Sequence, residues 1–333
     1  MKSWFLRLRH GLLVLPFVFI GFIGLIGLAG SPWAQPRPIQ FDLFRSRIQD
    51  AVRTFGNHPR FKDIPPERRQ EIAEFVSGNM LFVLLHELAH TAVTELNLPV
   101  LGRKEDAADS FAALTLINIK STFSDRVLTE AAKGWFMADR RDRKEREPVV
   151  YYDEHGLNQQ RAFQIVCYMV GADPVRFKDL AAETKLPKDR QESCAEDYRD
   201  AAKSWGMVLK PHLRAPDQPE TKIDVVYGEA SGRFEITAQM SRSIKLLEPV
   251  AARSAELVTW PAPFSLEMQT CGFVNARWVP ATRKLTLCYE LAADFVDLYR
   301  EYGIKQAESR PRKSKRYGRA EARNAAQSQP PHP

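Results

Sequence analysis

The sequence predicts an α+β protein, predominantly α-helical, with a small β hairpin or sheet in its C-terminal part. Three observations carry that prediction. Apolar residues recur at helical spacing through most segments between residues 40 and 210. A polar, proline-containing connector, "KPHLRAPDQPE", follows at about 210–220. Beyond it, short stretches alternate apolar and polar residues as strands do.

The elements follow in order. "IQFDLFRSRIQDAVRTF" places Phe41, Phe44, Ile48, Val52 and Phe55 on one helical face. "PPERRQEIAEFV" starts a further helix, with prolines where a first turn tolerates them. "GNMLFVLLHELAHTAVTEL" is apolar nearly all round and reads as a buried central helix, broken by Pro99 and Gly102. "KEDAADSFAALTLINI" resumes helical spacing, and "SDRVLTEAAKGWFMADR" comes next with Ser124 as its N-cap. "RRDRKEREP" reads as a charged surface loop. "LNQQRAFQIVCYMVG" is helical and closed by Gly171, with Asp173-Pro174 opening the next element, and "PKDRQESCAEDYRDAAKSWGMVL" is helical too. After the connector, "KIDVVYGE" and "GRFEITAQ" read as strands and "SRSIKLLEPVAARSAEL" as a helix. "NARWVPATRKLTLCYEL" reads as a hairpin turning at "PATR" and feeding a last helix to about Tyr302.

The two ends differ from this body. Lys2, Arg7 and Arg9 precede twenty uncharged residues, "GLLVLPFVFIGFIGLIGLAG", so residues 1–35 form a signal peptide or an N-terminal membrane anchor. Both alternatives place the rest outside the cytoplasm, periplasmic or secreted, because the positive end stays inside. The globular body is expected over 36–305, helical at 40–210 and mixed at 220–305. Residues 306–333 form a basic tail in which Arg310, Arg312, Lys313, Lys315, Arg316, Arg319 and Arg323 face only two acids. That tail carries much of the net charge of +7 but one aromatic, Tyr317, and no recognition motif, so no nucleic-acid partner is expected. In an oxidising compartment the four cysteines suggest disulfides, with three possible connectivities. The local pairings, Cys167 with Cys194 and Cys271 with Cys288, are favoured.

The chemistry concentrates in "LLHELAHTAVTELNLPVLGRKEDAAD". On a helix, His86 and His90 project from one face, one turn apart, at a separation that suits two ligands on one ion. Glu87 lies on the adjacent flank, within reach of a water on that ion. Zn2+ is the natural occupant: two imidazoles and one carboxylate leave the fourth position to water, whose pKa falls to about 7. Glu87 then serves as general base. Two histidines and a glutamate inside so apolar a helix would be costly to bury without a purpose. "KEDAAD" offers the third ligand. If a helix begins near Lys104, Glu105 and Asp109 share a face, while Asp106 points away. Glu105 is the expected ligand and Asp109 the acceptor of a ligating histidine's second N–H, with Asp109 as ligand the competing assignment.

"HELAH" followed by "EDAAD" resembles the gluzincin zinc metallopeptidases, with His-Glu-x-x-His and then Glu-x-x-x-Asp on a following helix. More narrowly, the chain resembles a bacterial family of exported proteins named as metallopeptidases from that motif. The resemblance includes "YYDEHGLNQQRAFQIVCYMVGADP" and "CGFVNARWVPATRKLTLCYELAADF" and covers most of residues 40–300. It implies a zincin-like fold, zinc held by His86, His90 and Glu105, and Glu87 as general base, but it supplies no substrate; a zinc peptidase acting on an unidentified peptide or protein is the leading reading. Gluzincins commonly stabilise the oxyanion with a downstream Tyr or His, which implies a catalytic role for His155, or for Tyr151 or Tyr152. One feature departs from that layout: the "NA…strand" element lies near the C-terminus, not before the active-site helix. A zinc-stabilised binding module and a zinc hydrolase acting on a non-peptide amide or ester are the alternatives.

Overall fold

A computed structural model describes residues 47–53, 58–62 and 64–303. The export segment, the basic tail, and Phe41, Phe44 and Phe55 lie outside the described residues. What is described of the first helix, α1, spans 47–53 and buries Ile48 and Ala51.

"PPERRQEIAEFV" and "GNMLFVLL…" form one helix, α2 (Pro66–Glu95), and Gly78 does not interrupt it. A side chain at Gly78 would press on α4, since its Cβ would lie 3.2 Å from that of Glu130. Pro66 fits the first turn, where an N–H has no helical partner anyway. The helix ends where Asn97 takes a left-handed φ of 50°, which asparagine tolerates. α2 is long and apolar enough to cross a bilayer, yet it is wrapped in protein. It packs on α3 (Lys104–Ile119), α4 (Thr122–Glu145), α10 (Tyr289–Leu298) and the C-terminal sheet. Phe75 of α2 meets Phe295 edge-on and Tyr299 at 4.9 Å between centroids. Ala108, Ala112 and Ala113 are buried on α3, and side chains that small let α3 come close to α2.

Several local readings change. The cap of α4 is Ser121, not Ser124: its hydroxyl accepts from the Ser124 N–H while Ser124 returns the bond to the Ser121 N–H. The charged run after Ala138 is the end of α4, not a loop. Its charges are spent on neighbours, Arg141 pairing with Asp294 and Lys144 with Glu301. α5 (Asn158–Ala172) runs past Gly171, which is kept small by the approach of α7 (Lys188–Leu209). The element that Asp173-Pro174 opens between them is α6 (Lys178–Thr184), with Asp173 Oδ1 accepting from the Val175 and Arg176 N–H groups. Cys167 of α5 pairs with Cys194 of α7, and Cys271 pairs with Cys288, both local pairings.

The C-terminal part holds a four-stranded sheet of β1 (Ile223–Tyr227), β2 (Phe264–Gln269), β3 (Ala276–Val279) and β4 (Lys284–Cys288). Its order is β1-β2-β4-β3, with β3 an antiparallel edge strand and the other pairs parallel. "GRFEITAQ" is not a strand; it opens α8 (Glu235–Ile244), where Ile236, Met240 and Ile244 are buried at four-residue spacing. The following helix is split, because Lys245 turns left-handed at φ 52° before α9 (Glu248–Leu257) starts with a proline in its first turn. Leu266, Met268, Leu285 and Leu287 of the central strands are fully buried in the same core as α8 and α10.

Candidate metal centre

His86 and His90 lie one turn apart on α2, with Glu105 at the start of α3 opposite them. The turn "LNLPVLGR" folds α3 back, so residues 15 and 19 apart in sequence come within bonding distance. His86 Nε2 is 3.0 Å from Glu105 Oε2, His90 Nε2 is 3.1 Å from His86 Nε2, and His90 Nε2 is 3.3 Å from Glu105. Donors arranged tetrahedrally at 2.0–2.1 Å around one zinc ion stand roughly 3.3 Å apart. The triangle has that size, and its members are two imidazoles and a carboxylate, so the residues present fit zinc.

Asp109 lies behind this triangle. Its Oδ1 meets His86 Nδ1 at 2.8 Å, on the far side of the ring from Glu105. Arg161 of α5 clasps the same carboxylate, with Nε 2.7 Å from Oδ2 and Nη2 2.8 Å from Oδ1. The guanidinium of Arg161 lies 3.6 Å from the centre of the Trp135 ring, on α4. All three polar groups are buried.

Burial and these contacts set the titration of each group. Burial pushes His86 down, but the hydrogen bonds it donates to Asp109 and Glu105 outweigh it and hold the imidazole up at about 9. Burial pushes Glu105 up, and the bonds from His155, His86 and His90 more than reverse it, leaving it well below the usual carboxylate range. Asp109 is likewise held down at about 2, against its burial, chiefly by Arg161. Glu87 goes the other way: burial raises it, only partly offset by the two histidines.

Glu87 is buried on the flank of α2, and the backbone N–H of Trp278 points at its carboxylate. That strand, β3, lies at the sheet edge, paired among the described residues with β4 alone. β3 comes from the C-terminal part of the chain and packs on α2. Cys271 and Gly272, in the loop before β3, donate their N–H groups to the buried Glu290 carboxylate. His155 is half-exposed, with Nε2 2.9 Å from Glu105 Oε2 and Nδ1 3.2 Å from Asp153. Tyr151 and Tyr152 are almost fully exposed. Glu290 forms a second close group with the Cys271 and Cys288 sulfurs, but both are committed to a disulfide.

Three participants escaped the sequence reading: Arg161, Trp135 and Trp278. Arg161 left a trace, being the one charged residue in "NQQRAFQIVCYMVGA". The aromatic pair left none.

Residues 38–209 match a family whose description reads "Putative metallopeptidase". The chain belongs to that family. No curated protein and no solved structure matches it. The metallopeptidase-family segment runs to the end of α7 and contains His86, Glu87, His90, Glu105, Asp109 and Arg161; β3 lies beyond it.

Proposed function

We propose that this protein is a zinc-dependent metallopeptidase of the gluzincin type, acting outside the cytoplasm. The observation that carries the proposal is the donor triangle of His86, His90 and Glu105 with Glu87 buried beside it. Among the described residues the group has three protein donors, not four, which is the pattern of a reactive site; structural zinc sites are closed by four. Zinc held there supplies a Lewis acid for the scissile carbonyl and lowers the pKa of a water.

The chain's own residues do the rest. Glu87 accepts a proton from the attacking water at its carboxylate and returns it to the leaving nitrogen as the C–N bond breaks. Its burial raises its basicity, and the Trp278 N–H holds its orientation. His155, accessible and next to Glu105, is the group assigned to donate to the carbonyl oxygen as that oxygen gains charge. A peptide or protein substrate is supported by the family, whose description reads "Putative metallopeptidase". Extracytoplasmic action is supported by the export segment and the two disulfides, which persist in oxidising compartments.

Zinc content and cleavage of casein or envelope-derived peptides, measured for wild type and Glu87→Gln, test the proposal. Zinc is retained and cleavage lost by at least about 100-fold in the variant. Equal cleavage by both proteins removes Glu87 from its role. N-terminal sequencing of the exported protein separates cleaved signal from anchor.

A further inference from the structure

We propose that Arg161 is a positioning residue for the metal centre: by clasping Asp109 it fixes the orientation and tautomer in which His86 presents Nε2 to the cation, and so sets metal affinity. This rests on the zinc reading above.

The argument starts from hydrogen-bond capacity. Asp109 Oδ1 accepts from His86 Nδ1 and from Arg161 Nη2, and Oδ2 accepts from Arg161 Nε. A carboxylate facing three donors has no proton to give, so the proton of that contact sits on His86 Nδ1. Nε2 is thereby the ligating nitrogen, on the side of His90 and Glu105. The fork of Arg161 binds both carboxylate oxygens, which fixes the plane of Asp109 as well as its position. The flat face of the guanidinium is itself fixed against Trp135. Four helices therefore meet in one line: Trp135 on α4, Arg161 on α5, Asp109 on α3 and His86 on α2.

A Coulombic role and a positioning role predict opposite signs. Arg161 is a buried cation near a cation site, so charge alone says its removal tightens metal binding. Orientation says removal loosens it, because Asp109 loses the two bonds that aim it. Nor does the pair need stability to explain it, since buried ion pairs gain little over apolar replacements.

The test is zinc affinity of the full chain by competition with a chromophoric chelator at fixed pH. The set comprises wild type, Arg161→Met, Arg161→Lys, Asp109→Asn and the Arg161→Met/Asp109→Asn double variant. Arg161→Met weakens zinc binding by about 10–100-fold. Arg161→Lys, which keeps charge but loses the fork, falls between it and wild type. In the Asp109→Asn background, Arg161→Met costs less than about twofold further, because its route runs through Asp109. Unchanged or tighter binding by Arg161→Met overturns the inference, as do losses that multiply in the double variant. Should Arg161→Met lose its helical circular dichroism, Trp135→Leu decides: affinity falls if the ring holds the guanidinium in place, and unchanged affinity overturns the inference. Wild type that takes up no zinc overturns the metal reading and this inference with it, a result distinct from zinc-binding wild type with an indifferent Arg161.

Discussion

Gly171→Ala and Gly206→Ala make the same chemical change in two helices that face each other, and the structure gives them opposite signs. A Cβ on Gly171 would stand 2.1 Å from the carbonyl oxygen of Cys194 and 2.6 Å from its carbon. Ordinary contact needs roughly 3.4 Å, so α5 and α7 would have to part by about 1.3 Å. The Cys167–Cys194 disulfide, one turn away, ties the same helices and resists that movement. Overpacking of this kind costs about 3 kcal/mol at the upper end of its usual range. Alanine returns about 1 kcal/mol through its higher helix propensity, leaving about 2 kcal/mol of net destabilisation. In a body of this size that is about 4–8 °C in Tm. A Cβ on Gly206 of α7 would meet nothing within 4 Å, so only the propensity gain remains, and Tm rises by about 2–4 °C. Melting of the oxidised proteins by calorimetry, with the disulfides verified by mass spectrometry, measures both. A Gly171→Ala protein as stable as wild type, disulfides intact, refutes the close approach of α5 and α7.

Glu130 is held above the usual carboxylate range chiefly by burial, with Lys133 opposing. A raised folded-state pKa favours the fold at low pH and loses that advantage as pH rises through it, so Glu130→Gln raises Tm at pH 7, and the gain vanishes below about pH 4. Replacing Cys167 and Cys194, 27 residues apart, with alanine costs about 3.5 kcal/mol by loop entropy. The 17-residue Cys271–Cys288 loop costs about 3 kcal/mol, so two denaturation midpoints close together are expected. Glu290→Ala strands the Cys271 and Gly272 N–H groups and lowers stability by about 2–3 kcal/mol, measured by urea titration, whereas Glu290→Gln keeps an acceptor and costs less.

What could be read from the sequence was whatever lies close together along the chain. His86, Glu87 and His90 share a helix turn, and Glu105 and Asp109 share the next helix, so spacing alone placed them on common faces. The disulfides are local as well. The misreadings came where two periodicities fit equally. "RFEITA" alternates like a strand, yet Ile236, Met240 and Ile244 continue at helical spacing, and packing chose the helix. β2, "FSLEMQ", has no β-branched residue and is held as a strand by pairing on both sides with β1 and β4. The charges after Ala138 look solvated until Asp294 and Glu301, far along the chain, are seen opposite them. Trp278 and Arg161 belong with those: what they touch was chosen by tertiary folding, which no local pattern encodes.

The position of β3 late in the chain bears on the order in which the protein is made. Synthesis runs from the N-terminus, so the segment bearing both histidines, Glu105 and Arg161 emerges well before the strand whose N–H aims Glu87. A nascent or C-terminally cut chain can possess His86, His90 and Glu105 and still lack the backbone N–H that meets the Glu87 carboxylate. Under the proposed function, metal capture and hydrolytic competence are therefore separate milestones, the second reached only once β3 has been made.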